Sequence, residues 1–360
     1  MSSPPPPLRS PSSSSPSPSS PSVTPSSFSR LPNELVQQII ENTVPHYYHS
    51  ATYYSRQSTL SSLCLVSKLF HQIAKPLLFA MIKSETFTPQ GPWSGISAEG
   101  FRSLVREFIC WRAIEPEGLD LLMRSLSQLR KLTVSGDKQS IIDMFTLSQL
   151  KNLEYLKFYN VTMSSSCSYS FANVTALDVF KVRWAKPSTE IVTSTSFPSL
   201  SALSFAYESE ITIKEVLQGV GSQLDACFAS WFGFPGDQIR QVQDKTLFDF
   251  YFDSVLSLPP VKYLRLYGPS AKWPAVLGGL LVQLRRSTPK LKPSLIYLPS
   301  SPHFDLSSQN QVFAELKSEC EKAGVELVFE EQPRKWTMDC GISHDFWTRM
   351  RKATAEKTLQ

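Results

Sequence analysis

A hydrophobic pattern with a period of about 24 residues constrains the fold of this chain more than any other feature. Four segments share the form apolar-x-x-apolar-x-x-apolar-x-apolar, and their third apolar positions are almost evenly spaced, at Leu132, Leu156, Phe180 and Leu203. Phe108 precedes the first of these anchors by the same interval, and Cys227 follows the last by the same interval. A constant period in this range indicates stacked units, each too small to bury its own apolar face.

Each unit contains one predicted strand. Leu132 and Val134 alternate with Lys131 and Thr133, so the apolar pair is expected on the core face of a sheet and the other pair on the opposite face. The next unit repeats this alternation, with Tyr155 and Lys157 facing away from the core. Apolar residues at helical spacing predict returning helices in two segments, Leu119–Leu126 and Ile141–Leu150.

The L-x-x-L-x-L pattern at these strands resembles that of leucine-rich repeats. The resemblance implies an α/β fold, a solenoid with a parallel sheet in which each unit is a strand followed by a helix or an irregular return. The Asn or Cys that usually closes each strand in that family is absent, because the corresponding positions hold Asp137, Val161, Ala185 and Glu208. The repeats are therefore expected to be degenerate.

The later units are longer than the earlier ones. Leu264, the anchor of the next predicted strand, follows Cys227 at a much longer interval than the period, and an aromatic-rich insertion at Gly233–Phe252 accounts for the difference. Gly324 is the predicted stop of a helix between the last two strands. Two late strands, the helix between them and a first strand upstream are predicted at Leu295–Leu298, Val325–Phe329, Gln309–Ala323 and Leu77–Ile82.

The segment Leu31–Phe79 has a helical rather than a strand pattern. Pro32 suits a first helical turn, Glu34 complements the positive end of the helix dipole, and the apolar residues that follow recur at helical spacing. A second helical pattern runs over Leu60–Ala74, and Pro76 is predicted to end it. Helices this short cannot bury all of their apolar surface against one another, so they need a partner or the rest of the chain.

These residues resemble an F-box, the module that docks a substrate receptor onto a Skp-type adaptor and through it onto a cullin. The resemblance departs from the common pattern in the long Glu41–Thr59 segment, which is rich in Tyr, His and Ser. This feature and the degenerate repeats are similar to those of large fungal F-box families. The positions that match the family motifs, and that the resemblance assigns to adaptor binding, are Leu31, Pro32, Glu34, Leu35, Ile39, Leu63, Val66, Ser67 and Phe70.

The resemblance implies a non-catalytic substrate-recognition subunit of an SCF-like ubiquitin ligase, whose repeats bind a protein target. In the alternative, the F-box-like helices are the N-terminal cap of a cullin-independent protein-interaction solenoid. The predicted divisions are a disordered Ser/Pro-rich tail (1–28), the F-box (29–80), the repeat body (81–332) and a polar C-terminal tail (333–360).

Composition argues against several classes of protein. With 41% apolar residues and no run of about eighteen of them, no membrane span is expected. The segment 1–27 lacks the apolar region of a signal peptide, and no two of the six cysteines form a C-x-x-C pair, so a reducing cytoplasmic or nuclear location is expected. The net charge of +5 is spread out, and the basic groups at Arg285–Arg286 and Arg349–Lys352 are interpreted as solvated surface rather than a nucleic-acid site.

No catalytic motif emerges, and an enzyme of unrecognised type has no residue constellation behind it. Cys340, His344 and Asp345 are close in sequence, but adjacency is not the geometry that a thiol nucleophile requires. His46 and His49 lack further ligands, so no metal and no cofactor is expected.

Large aromatic residues at or just beyond the predicted strand ends form the candidate target-binding set. Exposed Trp and Tyr side chains anchor many protein interfaces, although packing in the core is an open alternative for each residue. The set consists of Trp111, Trp184, Tyr207, Trp231 and Tyr267.

Overall fold

The structure is a computed structural model, and it describes residues 31–44, 50–84, 102–111, 125–136, 140–206, 210–230, 261–267, 273–286, 293–300 and 306–331. The chain divides into two compact units, Met1–Val44 and Pro45–Gln360. The predicted N-terminal and C-terminal tails lie outside the described residues. No described helix is both long and apolar enough to cross a bilayer.

The first unit contains helix α1 (Asn33–Thr43), as the apolar spacing predicts. Pro32 is the N-cap residue rather than a member of the first turn, and Glu34 lies in that turn near the positive end of the helix dipole. Val36 and Ile40 are buried, whereas Leu35 and Ile39 are exposed. The helix therefore presents apolar side chains in two directions.

The second unit begins with two helices, α2 (Ser50–Val66) and α3 (Lys68–Ala80), which pack against each other. Ser67 separates them, and its hydroxyl oxygen accepts a hydrogen bond from the Phe70 N–H at 3.3 Å, an N-cap interaction. The prediction that Pro76 ends the helix is wrong, because Pro76 lies inside α3.

The helix continues past Pro76 although the proline ring removes one backbone hydrogen bond. The turn that follows carries three large apolar residues, Leu77, Leu78 and Phe79, and all three are half-buried. Their burial offsets the cost of the proline. The strand predicted from Leu77 consequently starts only at Met81.

In the part of the chain that the structure describes, ten strands form one parallel sheet in which every strand pairs with the next along its series. This confirms the predicted α/β class with a large parallel sheet. In order across the sheet the strands are β1 (Met81–Ser84), β2 (Glu107–Cys110), β3 (Lys131–Ser135), β5 (Tyr155–Tyr159), β7 (Ala176–Phe180), β9 (Ala202–Ala206), β10 (Ala226–Ser230), β11 (Tyr263–Tyr267), β12 (Leu295–Ser300) and β13 (Glu326–Glu331).

A second, three-stranded parallel sheet follows the ends of the central strands. Its members are β4 (Ile141–Asp143), β6 (Thr162–Ser164) and β8 (Arg183–Trp184). The return helix predicted over Ile141–Leu150 is therefore mostly wrong, because the segment forms β4 and a single-turn helix, α4 (Met144–Leu147). The other predicted return, Leu119–Leu126, lies almost wholly outside the described residues.

The helices between the later strands pack on one side of the large sheet, which we call the first face. They are α5 (Ser188–Ile191), α6 (Glu210–Val220), α7 (Trp273–Arg286) and α8 (Leu306–Ala323). Side chains from these helices share one apolar core with Leu132, Leu156 and Leu203. As predicted, α8 is followed by Gly324, whose φ of +68° suits glycine at the end of a helix.

The strand register confirms most of the predicted anchors and corrects one. Phe108 pairs with Leu132, which pairs with Leu156, and Leu203 pairs with Cys227. The anchor on β7, however, is Leu177 and not Phe180. Phe180 instead pairs with Tyr159 on the opposite face and stacks on its ring, with centroids 4.6 Å apart.

Side-chain hydrogen bonds link the loops that precede consecutive strands. In four consecutive units, those of β5, β7, β9 and β10, a polar side chain donates to a backbone carbonyl of the preceding unit, so these loops as well as the strands are joined in series. The four bonds run from Asn152 to Ser127 (2.9 Å), Asn173 to Lys151 (2.8 Å), Ser199 to Ala172 (2.6 Å) and Gln223 to Phe197 (2.6 Å).

The loop after β3 depends on the missing side chain of Gly136. The Gly136 N–H donates to the Tyr159 carbonyl, and the Asn160 side-chain amide donates to the Gly136 carbonyl at 3.1 Å. A Cβ at Gly136 would lie 2.6 Å from the Ser140 Cβ and 2.8 Å from the Val161 Cγ1.

We expect Gly136→Ala to lower the free energy of unfolding by about 1–3 kcal/mol, because the added methyl group overpacks this turn. Urea unfolding of the purified chain measures the change. Gly278→Ala is the matched control, since nothing lies within 4 Å of its added Cβ and alanine favours the interior of α7. Equal stability of the Gly136→Ala variant and the wild type would contradict the close packing of this turn.

Candidate functional site

The connection between α2 and α3 is a well-fixed corner. Ser67 caps α3, and the His71 Nδ1 lies 3.2 Å from the Cys64 carbonyl oxygen near the end of α2. Leu60 on α2 and Ala74 on α3 are both fully buried. The corner therefore holds a defined shape while its outer side remains open to contact.

Two large apolar side chains project from this corner. Leu65 is 88% exposed and Val66 is 63% exposed. A partner that covers these two adjacent side chains removes apolar surface from water. Burying each of them contributes about 1.5–3 kcal/mol of favourable free energy. The last turn of α2 is consequently a surface suited to docking an apolar partner.

The predicted adaptor-binding residues of this corner have different roles in the fold. Val66 is exposed, Ser67 is an exposed helix cap, and Leu63 and Phe70 are half-buried. The motif match omits Leu65, the most exposed of the large apolar residues described in α1–α3. The sequence marks Leu65 because this apolar residue does not share the side of the helix on which Leu60 and Leu63 lie, three residues apart.

The predicted residues of α1 belong to the first unit. Leu35 and Ile39 are exposed and one helical turn apart, so they share one side of α1. Pro32 and Glu34 are exposed, and Leu31 is half-buried. This helix thus offers its own short apolar stripe.

Polar and aromatic contacts attach α2 to the first strands of the sheet. The Tyr53 hydroxyl oxygen accepts a hydrogen bond from the Lys83 N–H at 3.2 Å, and burial raises the pKa of that hydroxyl. The Gln57 side-chain amide lies 3.3 Å from the carbonyl oxygens of both Leu78 and Met81. These bonds fix the orientation of α2 relative to β1.

An aromatic cluster surrounds the ammonium group of Lys83 at the same junction. The Lys83 Nζ lies 4.2 Å from the ring centre of Trp111 and 5.6 Å and 5.8 Å from those of Tyr54 and Tyr53. Such cation–π contacts contribute about 0.5–2 kcal/mol each. Trp111 therefore helps to hold α2 on β1 and β2.

The side of the large sheet that faces away from its helices, which we call the second face, is apolar at its centre. Its buried cluster consists of Ala176, Ala202, Ala226, Tyr263 and Leu295, with Tyr155, Tyr297 and Val328 packed against it. This cluster is separate from the core on the first face. Both sides of the central strands are accordingly buried.

A buried ion pair lies beside this cluster. The Lys157 Nζ is 3.1 Å from the Asp178 Oδ2, and the two side chains are only 7% and 2% exposed. The Tyr155 hydroxyl donates to the same carboxylate oxygen at 3.3 Å. Burial, together with the Asp178 charge, raises the pKa of Tyr155 well above its usual value, so this hydroxyl remains a donor.

Of the predicted target-binding residues, the structure describes the side chains of Trp111 and Trp184. Trp111 follows β2 of the large sheet, whereas Trp184 lies in β8 of the small sheet and packs against the core of the first face. Tyr267 ends β11, and only its backbone is described. Tyr207 and Trp231 lie outside the described residues, so their target-binding role stays a prediction.

The described residues contain no group of three His, Cys, Asp or Glu side chains that could hold a metal ion. The sequence cluster Cys340–Asp345 and the pair His46 and His49 lie outside them. Burial raises the pKa of Cys227 to about 12 and that of Cys320 to about 11, which disfavours the reactive thiolate form of both residues.

No protein-family model matches this chain, and a search of curated proteins finds no match.

Proposed function

We propose that this protein is the substrate-recognition subunit of a cullin-type, SCF-like ubiquitin ligase. In this proposal residues 29–80 act as the F-box that docks a Skp-type adaptor, and the adaptor connects the chain to a cullin in the cytoplasm or nucleus. The repeat body, a leucine-rich-repeat-like solenoid, holds a protein target. Ubiquitin transfer is performed by partner subunits and follows from proximity.

The observation that carries the proposal is the exposed apolar end of α2. Leu65 and Val66 stand at the position where the sequence resembles the later F-box motif, and they are free of the core. Leu35 and Ile39 of α1, where the opening motif matches, are exposed as well. Exposed apolar side chains at both motif positions favour an apolar partner for these helices.

The serial order of the large sheet supports the repeat body. Each strand pairs with its neighbour in the series, and side-chain hydrogen bonds join the loops of successive units. Units stacked in this way generate long continuous surfaces, which repeat proteins use to bind other proteins.

A second candidate function is a cullin-independent interaction protein whose helices cap the sheet. The bonds from Tyr53 and Gln57 to the β1 region favour this alternative, because a cap must be fixed to the first strand that it covers. The two proposals differ in one respect: only the first requires an adaptor.

Co-expression of the full chain with a Skp-type adaptor, followed by size-exclusion chromatography, distinguishes the two proposed functions. We expect a stable one-to-one complex, and a chain that lacks residues 1–28 should form it equally well. A folded chain that elutes alone would reject the ligase proposal and favour the interaction protein.

A further inference from the structure

The two edges of the large sheet differ in how well their apolar side chains are covered. At one edge Ile82 of β1 is buried on the first face, and Tyr53 and Gln57 of α2 form hydrogen bonds with this strand. At the other edge lies β13, which pairs only with β12 among the described residues. Its residue Phe329 is 45% exposed, whereas Leu298, the register partner on β12, is 1% exposed.

Apolar side chains lie on both sides of β13 without being fully covered. Leu327 is half-buried against the core of the first face, and the centre of the Phe329 ring lies 5.5 Å from that of Phe313 on α8. Val328 is half-buried against the cluster of the second face. An edge strand presents a row of backbone N–H and C=O groups along its outer side. Together with apolar side chains on both sides of the strand, this row is a template for a further strand.

The charge of β13 determines which kind of strand fits beside it. Three of its six residues are glutamates, Glu326, Glu330 and Glu331, and none is Lys or Arg. Glu326 is exposed. A second copy of β13, paired antiparallel across a two-fold axis, would place glutamates opposite glutamates, and like charges directly opposite are destabilising. A strand that carries Lys or Arg would form pairs of opposite charge instead.

We propose that the outer edge of β13 binds an extended basic segment of a partner protein as a further strand of the sheet. Glu326 and Glu330 are four residues apart, with Leu327 and Phe329 between them. Because residues alternate between the two sides of a strand, the complementary segment has the pattern basic–apolar–x–apolar–basic. This pattern is the same in both directions, so it fits a parallel or an antiparallel strand. The proposal does not depend on the proposed ligase function.

Fluorescence anisotropy with the full chain and a labelled peptide that contains Lys-Leu-Thr-Leu-Lys tests the proposal. We expect saturable binding that weakens as salt is added, because salt screens charge pairs at the surface. A matched peptide that contains Glu-Leu-Thr-Leu-Glu should bind about fivefold more weakly or less, since like charges then lie opposite each other.

N-methylation of the peptide backbone tests the mode of binding. The N–H groups of alternate residues point to the same side of a strand, so one alternate set faces β13 and the other faces away. Methylating the first set should abolish binding, and methylating the second should leave it nearly unchanged. Equal binding of the two methylated peptides would overturn strand addition.

Two variants of the chain test the location of the site. Glu326→Lys should weaken binding of the basic peptide about fivefold or more and strengthen binding of the acidic one, because the charge pairs are exchanged. Phe329→Ala should weaken both peptides, because it removes an apolar contact. Glu190→Lys in α5 and Phe145→Ala in α4 are the matched controls, since both side chains are exposed and lie away from β13.

Three other results would overturn the proposal, with a thermal melt to confirm that each chain is folded. The first is no saturable binding of the basic peptide by the wild-type chain. The second is binding that neither Glu326→Lys nor Phe329→Ala changes, because the peptide then binds elsewhere. The third is a wild-type chain that sediments as a dimer and becomes a monomer with Phe329→Ala, because a second copy then occupies the edge.

Discussion

Replacing Leu65 and Val66 with aspartate should abolish binding to a Skp-type adaptor and leave the stability of the chain nearly unchanged. Both side chains are exposed, so the substitutions remove no core packing. At the interface, burying the two apolar side chains contributes about 1.5–3 kcal/mol each, and two unpaired charges would be buried in their place. We expect a loss of affinity of about a thousandfold or more, which corresponds to about 4 kcal/mol.

Isothermal titration with purified adaptor measures the affinity, and a thermal melt of each variant measures folding. Ile141→Asp is the matched control, because Ile141 is an equally exposed apolar residue, 63% exposed, outside the helical module. It should bind as the wild type does. Unchanged adaptor affinity in a folded Leu65→Asp, Val66→Asp variant would exclude this corner as the docking surface.

The repeat pattern predicts the sheet well because alternation determines which side chains face the core. Leu132, Leu156 and Cys227 stand on the first face as expected, and Lys157 faces the other way. Alternation does not determine the register of a strand where two different sets of alternating residues are both apolar. Around β7 the pairs Leu177 with Val179 and Phe180 with Val182 each satisfy the pattern, so the constant period selects the wrong one.

Tertiary packing explains the other differences. Pro76 is a helix breaker by local propensity, yet the half-buried turn that follows it continues α3. The exposure of Leu65 depends on which side of α2 packs on α3, and a motif match carries no such information. The burial of both sides of β7 is likewise a property of the packed protein that the local sequence pattern does not contain.

The buried Lys157–Asp178 pair gives the second large expected effect, this time on stability. Asp178→Ala should lower the free energy of unfolding by about 3–5 kcal/mol, because it leaves the Lys157 ammonium group buried without its carboxylate partner. The Tyr155 hydroxyl loses its acceptor at the same time. Urea unfolding of the variant, monitored by tryptophan fluorescence, measures the change.

The double variant Lys157→Met, Asp178→Leu tests whether the ion pair itself stabilises the fold, or whether Asp178→Ala is costly only because it leaves one buried charge without its partner. Apolar residues of similar volume avoid the desolvation cost of two buried ions, so the double variant should be much more stable than Asp178→Ala alone. The half-exposed pair of Lys262 and Asp225, 2.8 Å apart, is the control, and Asp225→Ala should cost less than about 1 kcal/mol. If Asp178→Ala costs no more than Asp225→Ala, solvent reaches the Lys157 ammonium group and the second face is not covered at this position.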